Sequence, residues 1–468
     1  MRKNDLLSLR AENLGAEMEG ICRHEGMTVF VPGLLPGEEA PVRIVKVEKR
    51  YAFGKLESLP VLSSPYRQNP DCSAYPQCGG CTARHMSYIS SLDAKRQHVV
   101  DCFERIGHLT VNVPSVMGMD HPFAYRNKTA LPIGGTVDSP QLGFYAPRSH
   151  RLIPTLSCPN AMPPSEEIAK AVRLWMEEYR ISPYNETSHH GLLRHLVIRI
   201  NRKHEAMVTL VARTRNIPHI PELYGVLSSL GVVSLYLNEN PRETNVIFGE
   251  RFHLLFGSAI LSDTLCGLRF DLSPASFFQV NPVQTEKLYD TALRFAELDP
   301  ADMLLDVYCG AGTISLMMAQ HCRQVTGIEV VSSAVYNARE NASRNGIQNA
   351  SFLHGKAEEL LPRMVQDGNR PNVIVVDPPR KGLDPVVIDA IAESAPDRLV
   401  YISCNPATQA RDVVLLKNHG YEISQIQPVD MFPYTYHVET VCCLYQQRKI
   451  FVSVPYEPKN ADYSIQQK

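Results

Sequence analysis

Cys404 and Glu439 have side chains that can do chemistry, and the sequence places both at the ends of predicted strands. Cys404 follows the apolar run 398–403 and precedes an Asn-Pro pair, after which a helix is predicted to begin near Thr408. Glu439 begins the last strand-like run, in "YHVETVCC". A thiol becomes a useful nucleophile where a helix N-terminus or a positive charge favours its thiolate, and a carboxylate can accept a proton. The pattern predicts a nucleophile and a base at one sheet edge; the alternative for a strand-end cysteine is a buried core thiol.

A glycine turn and three acids predict a ligand site at the same edge. "LLDVYCGAGTISL" places Gly310 and Gly312 after a buried strand, where the backbone can approach a ligand closely. Glu329 ends the next strand and could accept both ribose hydroxyls of an adenosine ligand, and Asp377 ends the fourth strand. Together with Asp306, these acids favour a binding site over strand-end caps. The turn lacks the full G-x-G-x-x-G pattern and supports a dinucleotide only weakly.

The elements that must position these residues begin near Ser273. From there strand, turn and helix alternate through seven strand candidates, which predicts a mostly parallel, doubly wound α/β sheet. No helix separates the last two candidates, which predicts an antiparallel final strand. Because ligands of such sheets bind at the carboxyl ends of the strands, the thiol and the acids are expected to share one site.

The bulk composition limits the class of protein. The chain has 468 residues, more than one core usually holds, and 44% of them are apolar, as in globular proteins of two or three domains. It has no run of ~18–20 apolar residues and no signal-peptide pattern, so we expect a cytoplasmic protein without a membrane partner. The net charge of −2 argues only weakly against RNA, because balanced totals can hide a basic face.

Two further regions precede the sheet. Residues 1–60 contain short strand-like runs between glycine and proline turns, which predict a small antiparallel barrel. A helix is predicted near 90–108, and its apolar face would hold Leu92, Val99, Phe103 and Ile106. Residues 123–154 interleave aromatic side chains with basic ones such as Arg126, a pattern that suits unpaired RNA and an ordinary half-exposed hairpin equally.

A cluster of cysteines predicts a metal or iron–sulfur site in the middle of the chain. Cys72, Cys78 and Cys81 form C-x5-C-x2-C, and Cys158 supplies a fourth ligand. Zinc uses C-x2-C equally well, so spacing alone leaves both groups open. The Cys-Gly-Gly-Cys turn, the distant fourth cysteine and the Cys-Pro pair favour an iron–sulfur cluster. The usual C-x3-C-x2-C signature of radical methyl transfer is absent.

Four motifs together closely resemble the RNA uracil-5-methyltransferase family, over essentially the whole chain: "FFQVN", "DPPR", "SCNP" and "HVET". The segment "EGICRHEGMTVFVPGLLPGE" also resembles a TRAM domain, an OB-like RNA-binding barrel. The cysteine motif resembles that of the branch that methylates 23S rRNA, which carries a 4Fe–4S cluster. The resemblance implies a Rossmann-like, S-adenosylmethionine-dependent methyltransferase fold with a seven-stranded sheet.

The resemblance also implies a role for each candidate residue. The methyl donor would be bound by Gln279, Tyr308, Glu329 and Asp377. Cys404 would be the nucleophile and Glu439 the proton acceptor. The 4Fe–4S cluster would be held by Cys72, Cys78, Cys81 and Cys158. This chemistry suits uracil, since its carbon 5 attacks a methyl group only after a thiolate has added to carbon 6, and a base must then remove the carbon-5 proton.

The sequence therefore predicts a monomeric RNA methyltransferase that makes 5-methyluridine in 23S rRNA. Its expected parts are a TRAM-like barrel at 1–60, a central α+β iron–sulfur domain at 61–270, a catalytic domain at 271–456 and a tail at 457–468. The helix near 90–108 is a candidate to pack on the catalytic domain. One alternative is a tRNA uracil-5-methyltransferase, although that branch generally lacks the barrel and the cysteines. Another is a non-catalytic RNA-binding protein with this fold, which would be expected to have lost Cys404 or Glu439. A cytosine-5-methyltransferase is disfavoured, because its nucleophile usually follows a proline.

Overall fold

Three bodies of secondary structure follow one another along the chain: a barrel and two seven-stranded sheets. The computed structural model describes residues 1–60 and 63–447. Residues 448–456 of the predicted catalytic domain and the predicted tail, 457–468, lie outside the described residues. Within the described ranges, no helix combines the length and the apolar character needed to cross a membrane.

The N-terminal strands close into a barrel in the order β1-β2-β3-β5-β4. They are β1 (Leu6–Leu14), β2 (Gly20–His24), β3 (Met27–Val31), β4 (Glu39–Val47) and β5 (Tyr51–Leu56). Alternate residues point inward, and Val29, Val42 and Ile44 are fully buried in the core. The predicted small barrel is confirmed, with one difference: β3 and β5 pair in parallel, because closing the barrel brings these two strands side by side.

The helix predicted near 90–108 is α1 (Tyr88–Arg105). Ser87 caps it, with a side chain that accepts from the Ser90 amide. Val99 and Phe103 are fully buried and pack into the core of the C-terminal sheet. Ile106 was predicted on the same face but is 47% exposed, because it lies beyond the last helical residue.

The middle sheet has the strand order β12-β11-β10-β9-β6-β7-β8. Its strands are β6 (Lys128–Gly135), β7 (Pro140–Tyr145), β8 (Leu152–Pro154), β9 (Leu193–Ile200), β10 (Ala206–Ala212), β11 (Val232–Glu239) and β12 (Arg251–Gly257). The helices α2 (Ser165–Glu178) and α3 (Ile220–Ser229) pack on it. Every residue of β9 and β10 is buried. A hairpin of β13 (Leu261–Leu265) and β14 (Leu268–Leu272) follows.

The C-terminal sheet has the strand order β17-β16-β15-β18-β19-β21-β20. Its strands are β15 (Met303–Val307), β16 (Gln324–Glu329), β17 (Ala350–His354), β18 (Val373–Val376), β19 (Arg398–Ser403), β20 (Tyr421–Val429) and β21 (Glu439–Gln446). Its helices are α4 (Pro282–Ala296), α5 (Thr313–Met318), α6 (Ser332–Arg344), α7 (Ala357–Gln366), α8 (Pro385–Ser394) and α9 (Pro406–Asn418), and α1 packs against α9. β15 to β19 are parallel, whereas β21 is antiparallel to both neighbours. The predicted doubly wound sheet and its antiparallel last strand are confirmed.

The strand register brings four carboxyl ends to one edge. Val307 of β15 pairs with Ile328 of β16 and with Val376 of β18, and Val376 pairs with Tyr401 of β19. The residues just beyond these pairs therefore face a common space, which is where ligands of such sheets bind.

Candidate active site

A cavity of about 1090 Å³ opens at this edge. It is lined by all six residues predicted to bind the methyl donor or to react: Gln279, Tyr308, Glu329, Asp377, Cys404 and Glu439. Cavities for one small ligand typically measure ~300–1,000 Å³, so this one is large enough for a small-molecule ligand.

The antiparallel register sets the predicted nucleophile beside the predicted base. Ser403 pairs with Thr440, so Cys404 and Glu439 are the next facing positions of β19 and β21. Directly opposed side chains in such a ladder have Cβ atoms ~4.5–5.5 Å apart. The Thr440 hydroxyl donates to Gln409 Oε1 at 2.6 Å and lies 3.3 Å from the Ser403 carbonyl. These contacts hold the ends of β19 and β21 together next to Cys404 and Glu439. Both site residues are half-buried.

The helix after Cys404 begins earlier than the sequence indicated. α9 starts at Pro406, and Asn405 is its N-cap, with a side-chain oxygen that accepts from the Ala407 amide at 3.1 Å. Thr408 was expected to cap; instead, its hydroxyl donates to the Asn405 carbonyl at 3.0 Å. The Asn-Pro pair is the better signal, because Asn is a preferred N-cap and Pro fits the first helical position.

Arg380 of the "DPPR" loop is a charged group of the site that the sequence arguments did not assign a role. Its carbonyl accepts from Asn405 Nδ2 at 3.1 Å, so the capping residue also holds this loop beside Cys404. Its side chain is exposed and lines the cavity. The "DPPR" motif was the sequence signal that could have identified Arg380 as a site residue.

The electrostatics keep the thiol and the carboxyl protonated at rest. Burial raises the pKa of Cys404 to about 11, Glu439 and Asp377 raise it too, and Arg380 lowers it. Burial and the Asp377 carboxylate raise the pKa of Glu439 to about 8, again against Arg380. The helix N-terminus was expected to favour a thiolate, but burial outweighs it because it disfavours any charge. Arg380 is therefore the group that assists ionisation of both residues.

Glu329 lies at the other part of the cavity, held by backbone amides. Its carboxylate accepts from the Val331 amide at 2.7 Å and from the Gly310 amide at 3.1 Å. These two bonds tie the end of β16 to the turn after β15. Gly310 and Gly312 have φ values of 55° and 79°, a region that glycine occupies without strain. An added Cβ at Gly310 would meet no atom within 4 Å, so this glycine is needed for its backbone conformation rather than for space.

Asp377 and Asp306 have different positions, although the sequence grouped them. Asp377 lines the cavity, and burial with the Asp306 charge raises its pKa to about 7. Asp306 is fully buried, accepts from the Ser315 hydroxyl and does not line the cavity. It is a core residue beneath the site, because it lies within β15 rather than beyond its end.

Gln279 lies on the loop before α4, and the middle sheet holds that loop. Asn127 Nδ2 donates to the Gln279 carbonyl at 3.0 Å, and the Asn127 amide donates to the Val280 carbonyl at 2.9 Å. Arg199 Nη2 donates to the Ser276 carbonyl at 2.6 Å. One wall of the cavity thus depends on residues outside the C-terminal sheet.

Several lining residues that the sequence arguments left unassigned complete the cavity: Phe277, Tyr336, Arg380, Phe432 and His437. Arg126, for which the sequence left an RNA contact and an ordinary hairpin position equally open, lines it as well. Phe277 is 78% exposed, which is unusual for a large apolar side chain and leaves its ring free to contact a ligand.

Burial and the positive charges of Arg380, Lys95 and Arg126 lower the pKa of His437 to about 4, so its imidazole is neutral. His437 precedes Glu439 by two positions, and this spacing in "HVET" could have revealed it.

The four predicted metal ligands meet at a second cavity, of about 250 Å³: Cys72, Cys78, Cys81 and Cys158 line it. The Gly80 amide donates to Cys78 Sγ at 3.3 Å, and Asn160 Nδ2 donates to Cys81 Sγ at 3.4 Å. However, across residues 1–60 and 63–447, no group of three or more Cys, His, Asp or Glu is arranged to hold a metal ion. The structure thus brings the four cysteines to one cavity but does not arrange them as the ligands of the predicted iron–sulfur cluster.

Comparisons with known proteins identify the family of this chain. The family profile described as tRNA (Uracil-5-)-methyltransferase matches residues 266–448, and the TRAM domain profile matches residues 10–56. A protein of Clostridium tetani named "Uncharacterized RNA methyltransferase" is 42% identical, over 94% of this chain and 96% of that protein. One from Halalkalibacterium halodurans, also named an uncharacterized RNA methyltransferase, is 42% identical over 95% of this chain and 98% of that protein. The chain belongs to the RNA uracil-5-methyltransferase family.

A solved structure with a similar fold extends the comparison to nearly the whole chain of this RNA methyltransferase. It is the tRNA (uracil-54, C5)-methyltransferase of Pyrococcus abyssi in complex with S-adenosyl-L-homocysteine, with a TM-score of 0.75 and 28% identity over 94% of this chain and all of that one. This confirms the S-adenosylmethionine-dependent methyltransferase fold with an N-terminal TRAM barrel. It does not separate 23S rRNA from tRNA as the substrate.

Proposed function

We propose that this enzyme transfers a methyl group from S-adenosylmethionine to carbon 5 of a uridine in 23S rRNA. The observation that carries the proposal is the facing pair Cys404 and Glu439, which lines one cavity with Glu329 and the glycine turn. A nucleophile and a base around a small ring, beside a site for an adenosine ligand, match the needs of uracil methylation.

Cys404 and Glu439 act at opposite ends of the reaction. The Cys404 thiolate forms a bond to carbon 6 of uracil, and the electron pair of the 5,6 double bond moves so that carbon 5 becomes nucleophilic. S-adenosylmethionine supplies the methyl group to carbon 5 from its sulfonium centre. Glu439 then takes the carbon-5 proton, the double bond re-forms, and the thiolate leaves. Arg380 favours the thiolate, because its charge lowers the pKa of Cys404.

The methyl donor would lie between the glycine turn and the middle sheet. Glu329 faces the cavity with both oxygens already oriented by backbone amides, which suits two ribose hydroxyls. Gln279, Tyr308 and Asp377 line the same space.

A labelling assay tests this proposal. The anaerobically purified protein is incubated with labelled methyl donor and transcripts of 23S rRNA or tRNA, and the product is mapped. Cys404→Ala should abolish methylation, whereas Cys266→Ala, a half-buried cysteine that does not line the cavity, should leave it unchanged. Glu439→Gln should accumulate a covalent protein–RNA adduct. Methylation that survives Cys404→Ala undiminished would contradict the mechanism.

A tRNA uridine is the second candidate substrate, because the similar solved structure is a tRNA methyltransferase. The same assay separates the two, since each transcript is offered alone and then in competition. Methylation confined to tRNA would replace 23S rRNA in the proposal and leave the chemistry unchanged.

We also propose that Cys72, Cys78, Cys81 and Cys158 hold a 4Fe–4S cluster with a structural or RNA-positioning role. The support is their shared cavity and the two N–H donors to Cys78 and Cys81, because such hydrogen bonds stabilise thiolate ligands. Binding would require the side chains to rearrange from the positions seen here. Iron and sulfide analysis, with zinc measured alongside, tests this; zinc without iron would overturn it.

A cytoplasmic location and a monomeric state stay predictions, and light scattering tests the monomeric state.

A further inference from the structure

The loop that leads into Glu439 is held mainly from outside the C-terminal sheet. Residues 430–438, the 430–438 loop, connect β20 to β21 and contribute Phe432 and His437 to the cavity. The amides of Thr82 and Ala83 both donate to the Tyr434 carbonyl at 3.0 Å. The Tyr125 hydroxyl donates to the Pro433 carbonyl at 3.3 Å. Segments that precede the catalytic domain thus fix the middle of this loop.

A buried ion pair fixes its first residue. Lys95 of α1 pairs with Asp430, and both side chains are 0% exposed. The Tyr88 hydroxyl donates to Asp430 Oδ2 at 2.7 Å, and Gln284 Nε2 donates to the Asp430 carbonyl at 3.0 Å. Removing one partner of such a pair leaves an uncompensated buried charge, which destabilises the native arrangement around it.

Lys95 also contacts the loop at a second point, closer to the cavity. Its Nζ donates to the Phe432 carbonyl at 3.0 Å while it pairs with Asp430. One ammonium group therefore spans the start of the loop and a residue that lines the cavity. The loop then runs through His437 to Glu439 without another helix or strand. Lys95 therefore anchors the first part of the loop, and the contacts of Tyr125, Thr82 and Ala83 hold its middle before the chain reaches Glu439.

We propose that Lys95 is a positioning residue for Glu439, acting through Asp430 and the 430–438 loop. This inference rests on the proposed function. Cys404 lies between β19 and α9, which the loop does not carry, so loss of Lys95 should impair proton removal from carbon 5 more than addition of the thiolate. A displacement of about 1 Å at a reacting group can slow a step ~100-fold.

A single-turnover experiment separates the two steps. Enzyme, S-adenosylmethionine and the transcript that the wild type methylates are mixed and quenched in detergent, and both the covalent adduct and the released methylated RNA are measured. In Lys95→Met, the adduct should form at a rate within about threefold of wild type, whereas its release should slow about 10- to 100-fold. Tyr88→Phe removes one bond to Asp430 and should slow release in the same direction by a smaller factor.

Arg398→Met is the matched control. Arg398 pairs with Asp302, and their side chains are 13% and 5% exposed, but the pair lies at the opposite end of β19 from Cys404, roughly 20 Å away along the strand. This variant should lower the unfolding midpoint, as Lys95→Met does, without accumulating adduct.

Equal slowing of adduct formation and release in Lys95→Met, or accumulation in Arg398→Met as well, would overturn the inference. Should Lys95→Met fail to fold, Tyr88→Phe decides: unchanged release in that variant would also overturn it. A wild type that forms neither adduct nor methylated uridine would refute the proposed function instead.

Discussion

The pH dependence of adduct release is the sharpest consequence of the raised pKa of Glu439. Release requires the ionised carboxylate, and burial together with Asp377 raises the pKa of this group to about 8. In the adduct the Cys404 thiol has become a thioether. This changes neither the burial of Glu439 nor the nearby Asp377, so the pKa of Glu439 should stay raised. Since an acid is protonated below its pKa, release should slow as pH falls, to about 10% of its maximum at pH 7 and about 1% at pH 6.

This dependence can be measured directly on the adduct. The adduct is formed at pH 6 and transferred to buffers between pH 6 and 9, and released RNA is followed with time. The rate should rise about tenfold from pH 6 to 7 and level off above pH 8. Glu439→Gln, which has no carboxyl group to titrate, is the control and should show slow release without this rise. A wild-type rate that is flat from pH 6 to 8 would refute the reasoning, because it would place the pKa of Glu439 near its ordinary value.

Three further predictions follow from the same contacts. Gly312→Ala should destabilise the protein more than Gly310→Ala in chemical denaturation: both lie at positive φ, a strain of about 1–2 kcal/mol, but only at Gly312 would the new Cβ lie 3.0–3.1 Å from neighbouring side chains. Asn405→Ala should lower the free energy of unfolding by about 1 kcal/mol through loss of the α9 cap and should reduce methylation, because Asn405 also holds the Arg380 loop beside Cys404; undiminished methylation would contradict this. Because the pKa of Glu439 is higher when folded, its contribution to stability is lost as pH rises from about 4.5 to about 8, so Glu439→Gln should raise the melting temperature more at pH 9 than at pH 5.

The contacts between the middle of the chain and the 430–438 loop give the cysteine region a structural route to the cavity. Arg84 forms an ion pair with Asp71, donates to Asn160 and lies over the Tyr434 ring at 4.6 Å. Asn160 in turn donates to Cys81 Sγ. The segment around the cysteines therefore contacts the 430–438 loop at the same residue whose carbonyl accepts from Thr82 and Ala83.

Local sequence patterns predicted most of the architecture. β15, β18 and β19 could be recognised because each is a mostly apolar run followed by a turn and a helix. Short-range signals also predicted the barrel and α1. Their boundaries were less certain: the Asn-Pro cap of α9 was overlooked, and the apolar face of α1 was extended to Ile106, which is exposed.

The sequence by itself determined which groups are present: one cysteine and one glutamate at strand ends, a glycine turn, the acid that ends β16 and the acid that follows β18. Only the tertiary structure decided which of them meet. The register of β19 and β21 placed Cys404 beside Glu439, and burial then raised both pKa values. Lys95 and Asp430, 335 positions apart, form a pair that no local pattern indicates. Periodicity reports only on neighbours along the chain, whereas charge states and long-range contacts depend on what folding brings together and removes from water.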